Sequence, residues 1–113
     1  MVATRILTNS SDTTIRLSTE VPLPSLVRAT LQEAGSRLLD RHRHRFNAAE
    51  LHLHVKRAGS GLGCMAYLAT DEGKYHAHAE EWDVRRCVER VLDALDLQVI
   101  KAFDRRSTLA GVF

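Results

Sequence analysis

The chain has no apolar run approaching the ~20 residues that a membrane-spanning helix needs. Its first residues, MVATRILTNSSDT, lack the apolar stretch of a signal peptide. Both absences predict a cytosolic protein. Cysteine is scarce: Cys64 and Cys87 each sit among apolar neighbours and read as buried thiols rather than a disulfide or a nucleophile. The two prolines, Pro22 and Pro24, fall together and leave the rest of the chain open to helix and strand. No repeat or low-complexity segment is visible. Motifs for phosphate, metal or acyl chemistry are missing too, with no GxxxxGKS/T, HExxH or GxSxG. We therefore expect no enzyme, no cofactor and no small-molecule substrate.

What is present suits one soluble globular domain. The chain has 113 residues, 44% hydrophobic and 27% charged. That length builds a core without disulfides or metal. The formal net charge of +2 permits an anionic partner without demanding one. Histidine is the unusual component. Six occur, as His42/His44, His52/His54 and His76/His78, each pair spaced i, i+2.

Hydrophobic periodicity sets the elements. TRILT (4–8) is β-like and NSSDTT (9–14) a polar turn cluster. Proline is tolerated in the first turn of a helix, so helix one is placed from Leu23–Ser25. Val27, Leu31, Ala34 and Leu38 give it steps of four, three and four. Gly35 weakens it, DRHRHRF (40–46) puts cations at its end, and Asn47 can close it. In AELHLHVKR (49–57), Leu51, Leu53 and Val55 alternate with His52, His54 and Lys56, the pattern of a half-buried strand. AGSGLG (58–63) reads as a turn, CMAYLAT (64–70) as a strand and DEG (71–73) as a hairpin turn. KYHAHAEE (74–81) is the last strand, with Tyr75, Ala77 and Ala79 on one face. Asp83 caps helix two, whose stripe runs from Val84 through Val88, Val91, Leu95 and Val99 to about Arg105. Trp82 is expected to pack against its start.

The order is β-α-β-β-β-α. It predicts an α+β domain, a four-stranded sheet with both helices on one face. The open face would carry His52, His54, Lys56, Met65, Tyr67, His76 and His78. Residues 1–106 form the domain and 107–113 a C-terminal tail. Four histidines on one face raise the question of zinc. The 64–70 strand should lie between the two pairs, however, and positions two strands apart are roughly 9–10 Å from each other. A fused site is then strained, and no metal site is assigned. Glu80 and Glu81 lack any accompanying cleft or nucleophile and read as a solvated strand end.

Several segments resemble the ribosome hibernation-promoting factor family, also called ribosome-associated inhibitor A or sigma-54 modulation proteins. IRLSTEV (15–21) is similar to the family's segment just before or at its first helix, and AELHLHVK (49–56) to its second strand. The fullest match is GCMAYLATDEGKYHAHAEEWDVRRCVERVLDALDLQVIKAF (63–103), in order, spacing and near-absence of gaps. The resemblance spans roughly residues 4 to 105. It implies a fold like that of double-stranded-RNA-binding domains. It also implies binding to the small ribosomal subunit, 16S ribosomal RNA and ribosomal proteins, in the channel of messenger and transfer RNA. The implied outcome is silenced translation in bacterial stress or stationary phase.

On that reading, the RNA contacts fall on the sheet-side residues His52, His54, Lys56, Arg57, Lys74, His76 and His78. They continue with Arg41 and Arg43 at the end of helix one, and with Arg86, Arg90, Lys101, Arg105 and Arg106 on or after helix two. Shape and phosphate contacts are the expected mode for structured RNA. The family's basic stripe on the second half of its last helix corresponds here to Ala94, Leu97, Lys101 and Arg105, of which two are cationic. The chain reads as a short form, with no room for a second, dimerising domain. The alternative is a divergent regulatory domain of the same fold that contacts proteins and does not bind ribosomes.

Overall fold

A computed structural model gives the architecture. It describes residues 3–9 and 12–111, with side chains from Thr13 to Asp104. The strands are β1 (Ala3–Asn9), β2 (Asp12–Thr19), β3 (Ala48–Ala58), β4 (Gly61–Thr70) and β5 (Gly73–Glu81). The helices are α1 (Ser25–Arg41) and α2 (Val84–Gly111), and a short 3-10 turn spans Arg43–Arg45. The sheet order is β1-β2-β3-β4-β5. Only β2 and β3 are parallel, joined by α1. The α+β class and the packing of both helices on one sheet face are as the sequence implies.

The sheet has five strands rather than four. Residues 12–19 form β2, where the sequence reading placed a turn cluster followed by the approach to helix one. Ile15, Leu17 and Thr19 point to the helices and are buried, which alternating side chains on a pleated strand require. The 61–63 segment is also strand rather than turn. The β3–β4 connection is only Gly59 and Ser60, and Gly59 takes φ +59, the left-handed region such a tight turn needs.

Helix α1 starts directly after Pro24, whose fixed φ suits the position before the first turn. Gly35 sits where α1 crosses the sheet. A Cβ there would lie 3.1 Å from Leu51 Cδ2, so the missing side chain sets the approach distance. The chain leaves the helix at His42 rather than Asn47. The Asn47 and Ala48 N–H groups instead donate to the Asp71 carboxylate at 3.1 and 3.3 Å, tying the β4–β5 turn to the start of β3. Helix α2 begins with the Asp83 carbonyl accepting from the Cys87 N–H. It runs to Gly111, past the Arg105 end read from sequence, because no proline or glycine interrupts residues 105–110. Trp82 does not pack on the helix start: it is 78% exposed at the β5–α2 corner.

The core lies between α2 and β3–β5, with α1 completing it over β2. Leu51, Leu53, Val55, Cys64, Ala66 and Leu68 meet Val88, Val91, Leu95 and Val99, all essentially inaccessible. Each such aliphatic side chain contributes roughly 1.5–3 kcal/mol on burial. Ala77 and Ala79 are small enough for α2 to lie close over β5. The Gln98 amide donates to the His76 carbonyl at 2.8 Å and ties the helix to that edge strand. Both cysteines are buried and unpaired with each other. Burial, with Cys87 beside it, pushes the Cys64 thiol up to about 12.

His42 closes the helix layer in a way its position in DRHRHRF does not announce. It is 3% exposed, and its Nε2 lies 2.6 Å from Asp96 Oδ1 on α2. Arg41 reaches the same oxygen at 3.1 Å.

Two results follow for stability and reactivity. Asp96→Ala leaves His42 buried without its partner and should cost about 1–3 kcal/mol in urea unfolding. An unchanged midpoint would make that contact dispensable. Ellman's reagent at pH 8 should label neither thiol in the native protein and both after unfolding, because a buried thiol stays protonated.

Candidate nucleic-acid interface

Because side chains alternate, sealing one face of β2–β5 against the helices fixes what the other presents. Cross-strand register arranges that open face in rows. Arg16, His52, Tyr67 and His76 form one; Ser18, His54, Met65 and His78 form the next. A third row holds Lys56, Gly63 and Glu80, and on the opposite side Glu50, Ala69 and Lys74 form a fourth. The face is a shallow trough of about 600 Å³. Met65 and Tyr67 line its floor, 49% and 43% exposed.

Two of the four histidines are held in place. Ser18 Oγ lies 2.9 Å from His52 Nε2 and 2.7 Å from His54 Nδ1. His54 Nε2 lies 3.3 Å from Glu20 Oε2. With both rings neutral, one assignment satisfies the whole chain. His52 Nε2–H donates to Ser18, the Ser18 hydroxyl donates to His54 Nδ1, and His54 Nε2–H donates to Glu20. Arg16 and Glu50 pair at 3.2 Å beside them. His76 and His78 are exposed on β5. As anticipated, β4 separates the two histidine pairs. Among the described residues, no group of three or more histidine, cysteine or acidic side chains is placed to hold a metal.

The expected contact residues divide into separate patches. His52, His54, Lys56, Lys74, His76 and His78 share the open face. Arg57 lies at the hairpin end of β3, exposed, with the strand parity of the helix side. Arg41 and Arg43 sit where α1 ends. Arg86 and Arg90 project from α2 and reach the Glu81 carboxylate at 3.9 and 2.7 Å. Lys101 is exposed further along α2. The side chains of Arg105 and Arg106 lie outside the described residues.

From Val84 to Asp104, α2 carries the cations Arg85, Arg86, Arg90 and Lys101 against Glu89, Asp93, Asp96 and Asp104. Its described length is therefore balanced rather than basic. The sequence reading missed Arg16, Ser18 and Glu20, which complete the histidine face from β2. The signal was present: in TTIRLST, Ile15 and Leu17 alternate with Arg16 and Ser18 at the period of a strand.

Burial, then the neighbouring His54 and Arg16, lowers the His52 pKa below its ordinary 6.5. Between that lowered value and 6.5 the unfolded chain binds more protons than the native one, so stability rises with pH. This contribution is complete above about 6.5 and is lost as the pH falls through the lowered value. Urea midpoints measured from pH 7.5 down to 5 should therefore decline. His52→Gln should flatten part of that decline; an identical pH profile in the variant would show that His52 is not its source.

No protein-family model matches the chain, and no curated protein matches it in sequence. Among solved structures, it is similar to the crystal structure of the Thermus thermophilus Protein Y N-terminal domain. The TM-score is 0.62 at 18% identity, covering 81% of this chain and 96% of that one. At that identity the likeness establishes a shared fold: a sheet with two helices on one side and an open face on the other.

Proposed function

We propose that the protein is a ribosome-associated hibernation factor that binds the small subunit in the messenger and transfer RNA channel. It acts by occupancy, in the bacterial cytoplasm during stress or stationary phase, and requires no catalysis. The observation that carries this reading is the fold. The segments that resemble the hibernation family fold into an α+β sheet with both helices on one face, and the Protein Y N-terminal domain is similar to this fold over most of both chains. No helix among the described residues is long and apolar enough to cross a membrane, which is consistent with this.

The electrostatics favour contact through particular patches. Arg41, Arg43 and Arg45 make the end of α1 cationic, at the negative end of its helix dipole. Arg45 lies 5.1 Å over the Phe103 ring and is held there, while Arg43 is exposed. Lys101 adds an exposed cation on α2. Contacts of this kind position a protein on RNA phosphates without reading sequence.

One observation favours the second reading, a regulatory protein-interaction domain of the same fold. Leu97 is 55% exposed and Ala94 half-buried where the family's basic stripe would run.

Sedimentation through a sucrose gradient separates the two. At low salt the protein should travel with small subunits and return to the top as salt rises, because phosphate contacts release counterions. Lys101→Glu should weaken the association and lower its salt slope by about one, with thermal stability unchanged. A protein that stays at the top at every salt concentration belongs to the second reading.

A further inference from the structure

The open sheet face has a composition that phosphate tracking alone does not explain. Its centre is flat and soft rather than cationic: Tyr67 and Met65 lie side by side along β4, each flanked across the strands by two imidazoles. Neighbouring strands are roughly 4.8 Å apart and the two rows roughly 6.8 Å, so the array is a platform three strands wide, roughly 10 Å by 7 Å. Its charges are at the margins. Glu50 is held by Arg16 and Glu20 faces His54, Lys56 and Lys74 occupy opposite corners, and Glu80 ends the row that Lys56 begins. A protein partner would need large aliphatic or aromatic anchors at the centre of the patch. Among the described side chains of this face, the exposed large hydrophobics are Met65 and Tyr67, flanked by imidazoles. A duplex keeps its base faces stacked and has none to offer.

We propose that this face binds unpaired nucleotides of single-stranded RNA, stacking bases on Tyr67 and Met65 with the flanking histidines as walls. Lys56 and Lys74 meet the phosphates at either end. Sheets that present aromatic side chains hold two or three bases in this manner, and the stacking is tolerant of sequence. The Ser18 hydroxyl fixes His52 and His54 before RNA arrives, which lowers the ordering cost of binding. The proposal rests on the preceding reading only in naming RNA as the polymer. It assigns the sheet face to unpaired bases and leaves the helix ends to phosphates of structured RNA.

The test uses the whole protein and a fluorescently labelled pyrimidine RNA of about ten nucleotides, within the usual site size for such surfaces. Fluorescence anisotropy should show the single strand binding more tightly than a duplex of the same length, and more tightly than polyphosphate, which has no bases. Tyr67→Ala should lose about tenfold in affinity, and Tyr67→Phe, which keeps the ring, should lose almost none. Amide resonances of β4 and β5 should shift on titration while those of α1 stay in place. Equal binding of polyphosphate, or full binding by Tyr67→Ala with native thermal stability, overturns the proposal. So does wild-type protein that sediments with small subunits yet ignores the single strand; the hibernation reading then stands and the face meets a ribosomal protein instead. Tight, Tyr67-dependent binding of the oligonucleotide by a protein that never sediments with ribosomes leaves the stacking site intact and removes the hibernation reading.

Discussion

The contact on which the rest depends is the apolar stripe of α2 lying across β3–β5. Val88, Val91, Leu95 and Val99 cover Leu53, Ala66 and Leu68, and the short side chains of Ala77 and Ala79 let the helix come close. Strand side chains alternate, so this seal also determines the other face. A register slip of one residue would bury the histidines and expose the leucines, at a cost set by the whole core. The surface with functional potential is thus a by-product of the core, specified by the same residues and equally hard to misplace.

A second constraint joins the helices. His42 and Arg41 share Asp96, so the cationic end of α1 is anchored to α2 at the point where charge is densest. That bond consumes some of the positive charge that a reader of DRHRHRF would assign to a partner. The balanced charge of α2 has the same consequence. Among the described residues, the cations open to an anionic ligand include the outer part of the α1 end, Arg57, Arg85, Lys101 and the margins of the sheet face. The two proposed surfaces lie on opposite sides of the sheet: phosphates of structured RNA at the helix ends, and unpaired bases with their flanking phosphates on the open face.

Much of this was legible in the sequence because period-two and period-3.6 patterns are strong from Ala49 onwards. LHLHV and YHAHA fix strand faces with little competition, and the VxxCVxxVLxxL spacing of α2 admits one buried side. The first twenty residues were harder. TTIRLST alternates, yet its threonines and serine are also turn formers, and the polar NSSDTT cluster before it suggested one long connection. The glycines of AGSGLG drew the β3–β4 turn too wide, since Gly61 and Gly63 belong to a strand whose partners lie close. His42 could not be placed from local pattern, because its partner Asp96 is 54 residues away. Likewise the row Ser18–His54–Met65–His78 exists only through the register of four strands.

The central claim is that this fold occupies the decoding channel of the small subunit. Electron cryomicroscopy of the protein bound to isolated small subunits tests it most directly. The account requires density for the domain in the messenger and transfer RNA channel, with the end of α1 against ribosomal RNA and the sheet face towards unpaired nucleotides. Density on the outer surface of the subunit, or subunits that remain empty at saturating protein, would contradict it.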